Sequence, residues 1–255
     1  MLGLLWRLRE LRQRDRWTRQ ELEAYQESTI LRLRSYAYAN SPFYRQFHQG
    51  MANRPLHELP VLTKAMVMEH FDDLVTDRAI HLKDVEAHLA HLQDDEQFLG
   101  RYWVNTTSGS TGRRGIFLFN RSEWTSVLAS FARAHEWAGA EISLSHSMKM
   151  ASVASTTPWH MSARVAATLR SRWMPALRLA ASETVDSIVR QLNEWQPAML
   201  VCYASMARIL ADEQSAGRLQ IHPHLVFTSS EVLTEETRRR AEQAWNQPLF
   251  NQYAT

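Results

Sequence analysis

The chain has 255 residues, 45% of them hydrophobic and 22% charged, with 8 Gly, 8 Pro and a single Cys. That profile excludes collagen-like, low-complexity and disulfide-scaffolded proteins, and it is too apolar for a disordered chain. With 29 basic and 27 acidic side chains the net charge is only +2, too balanced to announce nucleic acid as a partner.

Cys202 alone can form neither an intramolecular bridge nor a Cys-x-x-Cys zinc site, so a reducing, cytoplasmic setting fits best. A chain of this length can bury roughly 70–75% of its unfolded surface, enough for a core without a structural metal. The first twenty residues concentrate base: Arg7, Arg9, Arg12, Arg14, Arg16 and Arg19. Glu10, Asp15, Glu21 and Glu23 interrupt them, which argues against a transit peptide. Met1–Trp6 is too short for a secretory signal, and no window approaches the length of a transmembrane segment. A solvated amphipathic helix with Leu4, Leu8 and Leu11 on one side is the plain reading. Contact with a membrane surface or an anionic polymer is its rival.

Residues 1–100 read as a mainly helical region, with segments ending at Pro42, Pro55 and Pro60. Thr63 is placed as an N-cap, with Leu62 and Val67 set to staple the first turn. Residues 81–98 are polar and rich in histidine, as a surface helix and loop would be. From Arg101 the texture changes. Tyr102–Thr106 and Ile116–Phe119 are β-prone and flank a turn of small residues. Trp124, Val127, Leu128 and Phe131 then recur at helical spacing.

Met148–Ser155 is a candidate strand, and Val185, Ile188, Val189, Leu192 and Trp195 mark a helix with one apolar stripe. Met199–Tyr203 and Leu225–Phe227 are short apolar runs of the kind found in strands buried on both faces, and Leu249–Tyr253, after Pro248, forms another strand. Helices around Met206–Glu213 and from Thr234 separate them, the second opening with Glu235 and Glu236. This β-α-β-α-β alternation predicts an α/β fold: a mostly parallel sheet flanked by helices, with right-handed crossovers, over residues 101–255. The sequence stops just past a strand, where open parallel sheets place their ligands.

The strongest local signal is Thr107, Ser108, Gly109, Ser110, Thr111 and Gly112, followed by Arg113, Arg114 and Gly115. Glycines and hydroxyls at this density make a loop rich in donors that can approach phosphate oxygens closely. It lacks the Gly-Lys-Ser/Thr ending of a Walker loop, and a strand rather than a helix follows. Composition leaves it open between a plain hairpin turn and a phosphate loop. His222 with His224, and His88 with His91, have ligand-like spacing, but no nearby Cys or acid completes a tetrahedral set, so no metal site is expected. No Gly-x-Ser-x-Gly nucleophile elbow occurs.

Thr107–Gly112 resembles the phosphate-binding signature of adenylate-forming enzymes, the superfamily of AMP-dependent synthetases and ligases. Four further stretches resemble its phenylacetate–CoA ligase-like, capsule-biosynthesis-like branch. They are Ser41-Pro42-Phe43-Tyr44-Arg45, Leu59-Pro60-Val61-Leu62-Thr63-Lys64, Thr228-Ser229-Ser230-Glu231 and Asn251-Gln252-Tyr253-Ala254-Thr255. Arg114 stands where that family usually has Pro, and Ala254 where Gly is common. The family's metal-holding Glu, its ribose-binding Asp and its C-terminal lobe with a catalytic Lys would lie further on. By the resemblance, the chain is the N-terminal part of the large domain.

The resemblance implies a two-step reaction: a small-molecule carboxylic acid attacks the α-phosphorus of ATP, and coenzyme A then takes the acyl group, with Mg2+ as the metal. Thr107–Gly112 would cradle the pyrophosphate end, with Arg113 or Arg114 adding positive charge. Ser230 and Glu231 would line the adenine site and Tyr253 would pack on the ring, while Tyr203, Ala204 and Ser205 would lie near the acyl pocket. Little turnover is expected from these 255 residues alone. The rival from another class is a non-catalytic α/β binding or interaction module. A sheet cut short also exposes an edge that invites formation of a homo-oligomer.

Overall fold

In a computed structural model the described residues are 2–52, 54–107, 114–140, 148–168 and 174–252. The chain divides into two units, Met1–Ala129 and Ser130–Thr255.

The first unit opens with α1 (Leu2–Arg14) and α2 (Arg19–Asn40). Leu8 is buried, so the leucine side of α1 is the packed one. A capping box starts α2: the Thr18 hydroxyl accepts from the Glu21 N–H, and the Glu21 carboxylate accepts from the Thr18 N–H at 2.8 Å. Ser41 then ends α2 and caps α3 (Pro42–Phe47), with Pro42 in the first turn, where a missing N–H costs nothing. Its hydroxyl, fully buried, donates to the Asp73 carbonyl at 2.9 Å. That is the structural use of the Ser-Pro-Phe-Tyr segment.

A 3-10 turn (Leu56–Glu58) leads to α4 (Lys64–Glu69), capped by Thr63 as its position predicts, then α5 (Phe71–Leu74) and α6 (Leu82–His91). β1 (Trp103–Thr106) and β2 (Ile116–Phe119) pair antiparallel, Thr106 opposite Ile116. Phe71, Ile80, Val85, Phe98, Val104 and Ile116 form this unit's core. The helix α7 (Arg121–Trp137) follows.

The second unit is a five-stranded parallel sheet in the order β4-β3-β5-β6-β7. Its elements are β3 (Met150–Ala154), α8 (Met161–Thr168), β4 (Ala176–Ala180), α9 (Val185–Trp195), β5 (Met199–Tyr203), α10 (Ala204–Ser215), β6 (Leu225–Ser229), α11 (Glu235–Trp245) and β7 (Leu249–Gln252). The expected α/β class with a parallel sheet flanked by helices is what the chain forms. Thr184 and Thr234 cap α9 and α11 by accepting from the third helical N–H, and Glu235 and Glu236 sit in α11's first turn.

Side chains alternate across the sheet. Ala151, Val153, Leu200, Cys202, Val226 and Leu249 pack in one cluster with Ile188 and Leu192 of α9, Leu210 of α10 and Trp245 of α11. Met150, Met199, Val201, Leu225, Phe227 and Phe250 point into a second, smaller cluster.

Leu192 has no solvent exposure. Leu192→Ala is expected to destabilise the fold by about 2–5 kcal/mol, because neighbours packed this densely collapse only partly into the gap. Urea denaturation checks this against Val232→Ala, at a site 87% exposed, which should shift stability by less than about 0.5 kcal/mol.

Candidate active site

The sheet's second face carries a cavity of about 750 Å3. Its floor is built by strand register. Ser152 and Val201 stand in one row across β3 and β5, and Phe227 on β6 and Phe250 on β7 continue that row outside the cavity's lining. One side-chain step nearer the carboxyl ends come Ala154, Ser229 and Gln252, with Ser229 directly opposite Gln252. Ser155 and Thr156 continue the wall beyond β3. Ala176, Leu177 and Arg178 line it from β4, Phe131 and His135 from α7, and Ser162, Ala163, Val165 and Ala166 from α8. Polarity therefore rises toward the strands' carboxyl ends, the side where open parallel sheets hold ligands.

Two groups in this wall are chemically unusual. His135 is only 9% exposed, its ring lies 4.9 Å from that of Phe227, and neither ring nitrogen has a protein hydrogen-bond partner among the described residues. Burial pushes its pKa down to about 4, because an apolar surround disfavours the charged ring. At neutral pH it presents one N–H donor and one bare nitrogen acceptor. The Gln252 Nε2 is likewise enclosed without a hydrogen-bond partner. Among the described lining residues, only His135 and Arg178 have basic side chains, and Arg178 is already engaged in an interaction.

Tyr203 ends β5, and its hydroxyl oxygen accepts from the Ser155 N–H at 2.8 Å, tying the cavity rim to the next strand. Ala204 and Ser205 open α10, and the Ser205 N–H donates to the Glu231 carboxylate at 2.7 Å. Glu231 thus caps a helix that Tyr203, its N-cap residue, does not cap itself. Tyr203, Ala204 and Ser205 are not among the cavity walls. Ser230, between Ser229 and Glu231, holds φ at +67°, a left-handed conformation that side chains disfavour. Cys202 faces the packed side of the sheet, and burial pushes its thiol up to about 12, with the Glu231 charge adding to the effect.

In the first unit, Thr107 closes the hydroxyl-rich loop. Its N–H donates to the Gly115 carbonyl at 3.0 Å, and its hydroxyl accepts from the Gly115 N–H at 2.9 Å. Just before it, the buried Asn105 carboxamide and Thr106 hydroxyl have no hydrogen-bond partner. Arg114 is exposed. Ser108, Gly109, Ser110, Thr111, Gly112, Arg113 and Tyr253 lie outside the described residues.

Sequence reading did not pick out His135, Ser152, Arg178, Ser229 or Gln252 as cavity residues. One of them had a signal: His135 continues the stripe of Trp124, Leu128 and Phe131 at the same helical spacing. The others meet only through strand register.

No protein-family model matches the chain, and no curated protein does. Solved structures do match. 2-Hydroxyisobutyryl-CoA ligase with 2-HIB-AMP and CoA in its thioesterification state superposes with a TM-score of 0.65 at 18% identity, covering 92% of this chain and 49% of that one. Its open conformation gives 0.62 at 19%, covering 87% and 47%, and its postadenylation state 0.61 at 18%, covering 89% and 47%. At these identities the likeness is one of fold. The chain spans about half the length of these ligases, and its fold is that of the matched part of 2-hydroxyisobutyryl-CoA ligase. Among the described residues, no helix is long and apolar enough to cross a membrane.

The depressed pKa of His135 gives a direct check. A folded value of about 4 below an unfolded value of about 6.5 means that the unfolded state binds the proton more readily between them. This contribution to stability is whole above pH 6.5 and is lost as pH falls toward 4, on the order of 3 kcal/mol in all. The imidazole C2–H resonance of His135 should titrate near pH 4, and an inflection near 6.5 would contradict its placement.

Proposed function

We propose that this chain belongs to an adenylate-forming ligase that activates a small carboxylic acid with ATP and passes the acyl group to coenzyme A. The observation that carries the reading is the cavity at the carboxyl-end side of a parallel sheet, in a fold shared with 2-hydroxyisobutyryl-CoA ligase. The four sequence stretches that resemble the phenylacetate–CoA ligase-like branch support that branch within the family.

Roles are assigned to each unit separately. In the second unit the cavity receives the acid, its apolar floor taking the tail and its polar rim facing the carboxylate. Ser230 and Glu231, in the turn after β6, with Tyr253 beyond β7, serve the adenine. In the first unit, Thr107–Gly112 supply hydroxyl and N–H donors to phosphate oxygens, with Arg113 or Arg114 adding charge. The fixed hydrogen bonds between Thr107 and Gly115 hold the two ends of that loop.

The chemistry asks for little covalent help. A carboxylate oxygen forms a bond to the α-phosphorus, the bond to pyrophosphate breaks, and the leaving group departs with its added negative charge. What the protein supplies is position and oriented donors. The acyl-adenylate then loses AMP to a thiol. Mg2+ would neutralise phosphate charge, but among the described residues no group of three or more His, Cys, Asp or Glu converges to hold a metal, so no step is assigned through it here.

Calorimetric titration of the chain with ATP is expected to show binding that Ser110→Ala/Thr111→Ala weakens about tenfold or more, the loss of hydrogen bonds to a charged phosphate. Acid-dependent exchange of labelled pyrophosphate into ATP, measured on the complete protein, tests turnover. Absence of nucleotide binding would sink the proposal. Binding without exchange across a broad panel of acids would favour the non-catalytic module.

A further inference from the structure

We infer that the cavity selects an acid with an uncharged tail that ends in a hydroxyl, and that His135 reads that hydroxyl. The inference rests on the proposed acid-binding role of the cavity and adds to it the substrate class and a residue that discriminates.

The geometry runs as a gradient. Ser229 and Gln252 stand at the carboxyl ends of β6 and β7, with Ser155 and Thr156 beside them, and these polar groups form the end suited to a carboxylate. Phe227 lies two residues back along β6, about 7 Å deeper at the rise of a strand. The imidazole of His135 rests on Phe227. A ligand with its carboxylate at the rim therefore meets His135 about one aromatic ring's length further in. In the row of Phe227 the wall is Ser152 and Val201, with Ser162, Ala163, Val165 and Ala166 lining it from α8.

His135 is nearly sealed, and its two ring nitrogens have no protein partner among the described residues. The ring nitrogens are not among the fully enclosed unpartnered atoms of the described residues, so they open to the cavity, and the site favours a ligand group that can hydrogen-bond a neutral imidazole. A hydroxyl does so whichever nitrogen faces it, since it can donate to the bare nitrogen or accept from the N–H. A carboxylate or ammonium at this depth would have to shed its hydration beside a ring that stays neutral. Arg178, the one cation among the described lining residues, stands on the edge strand β4 opposite Ser152 and is already engaged. A second negative charge is thus poorly served.

The test measures direct binding to the 255-residue chain by calorimetry, without ATP. The probes are 3-(4-hydroxyphenyl)propanoate, its des-hydroxy analogue 3-phenylpropanoate, and the dicarboxylate 3-(4-carboxyphenyl)propanoate. The phenol is expected to bind about 3- to 10-fold more tightly than the plain ring, the span of one net hydrogen bond. His135→Phe should erase that preference, and His135→Gln, which keeps a donor and an acceptor, should restore part of it. Thermal melting and circular dichroism confirm that both variants fold. If His135→Phe does not fold, displacement of the His135 C2–H resonance in the native chain by the phenol, but not by the plain ring, supports the same conclusion. Equal affinity for phenol and plain ring overturns this inference alone. Tighter binding of the dicarboxylate also overturns it, by making Arg178 the reader of the tail. Binding of none of the three overturns both this inference and the proposed role of the cavity.

Discussion

The second unit depends on one constraint: five parallel strands in register turn a linear alternation of side chains into two faces of different character. On one face, helices α9, α10 and α11 fill the space with Ile188, Leu192, Leu210 and Trp245 against Leu200, Cys202 and Val226. On the other face Met150, Met199 and Leu225 pack with Phe227. Toward β3 and β4 the side chains are small at Ser152, Ala154 and Ala176, with Ser229 at the end of β6, and α8 answers them with Ser162, Ala163 and Ala166. Small residues facing small residues leave a space that close-packed interiors do not otherwise tolerate. The cavity is therefore encoded by what these positions lack.

The same division separates two buried titratable groups. Cys202 and His135 are both held neutral at physiological pH by burial, the thiol pushed up to about 12 and the imidazole down to about 4. Cys202 lies on the filled face, where a neutral thiol behaves as a small apolar side chain and is inert. His135 lies on the face with a cavity, where a neutral ring keeps a donor and an acceptor to offer. Burial acts on both alike. What differs is whether a space adjoins the group.

Much of this fold was legible because its signals are local. Met199–Tyr203 and Leu225–Phe227 are apolar runs that only a strand buried on both faces needs, and Thr63 and Thr234 sit where a hydroxyl caps a following helix. The elements that escaped are those without such signals. β4, Ala176–Ala180, is an edge strand of five residues interrupted by Arg178, and α8 is built from small residues with too weak a stripe to announce a helix. Both are held by their neighbours in the fold rather than by their own sequence. They also supply much of the cavity wall, so the candidate site was less legible than the scaffold. Ser152, Val201 and Phe227 are scattered over 76 positions of sequence, and only strand register places them in one row.

The hydroxyl-rich loop obeys the opposite logic, since its composition is legible and its use depends on how its ends are held. Ordering a loop around a polyanion costs conformational entropy, less so where its termini are fixed beforehand. Thr107 and Gly115 meet that need with two hydrogen bonds across the base, where β1 and β2 run antiparallel. Gly115 is matched to the position: a Cβ there would sit 3.2 Å from Phe117 and 3.3 Å from Lys64, closer than either side chain accepts without moving. Any larger residue would push on the strand that anchors the loop. A Pro at position 114, usual in the resembling family, would stiffen the same junction through its fixed φ. Arg114 does not, so in this chain the rigidity of the loop's base rests on Thr107 and Gly115.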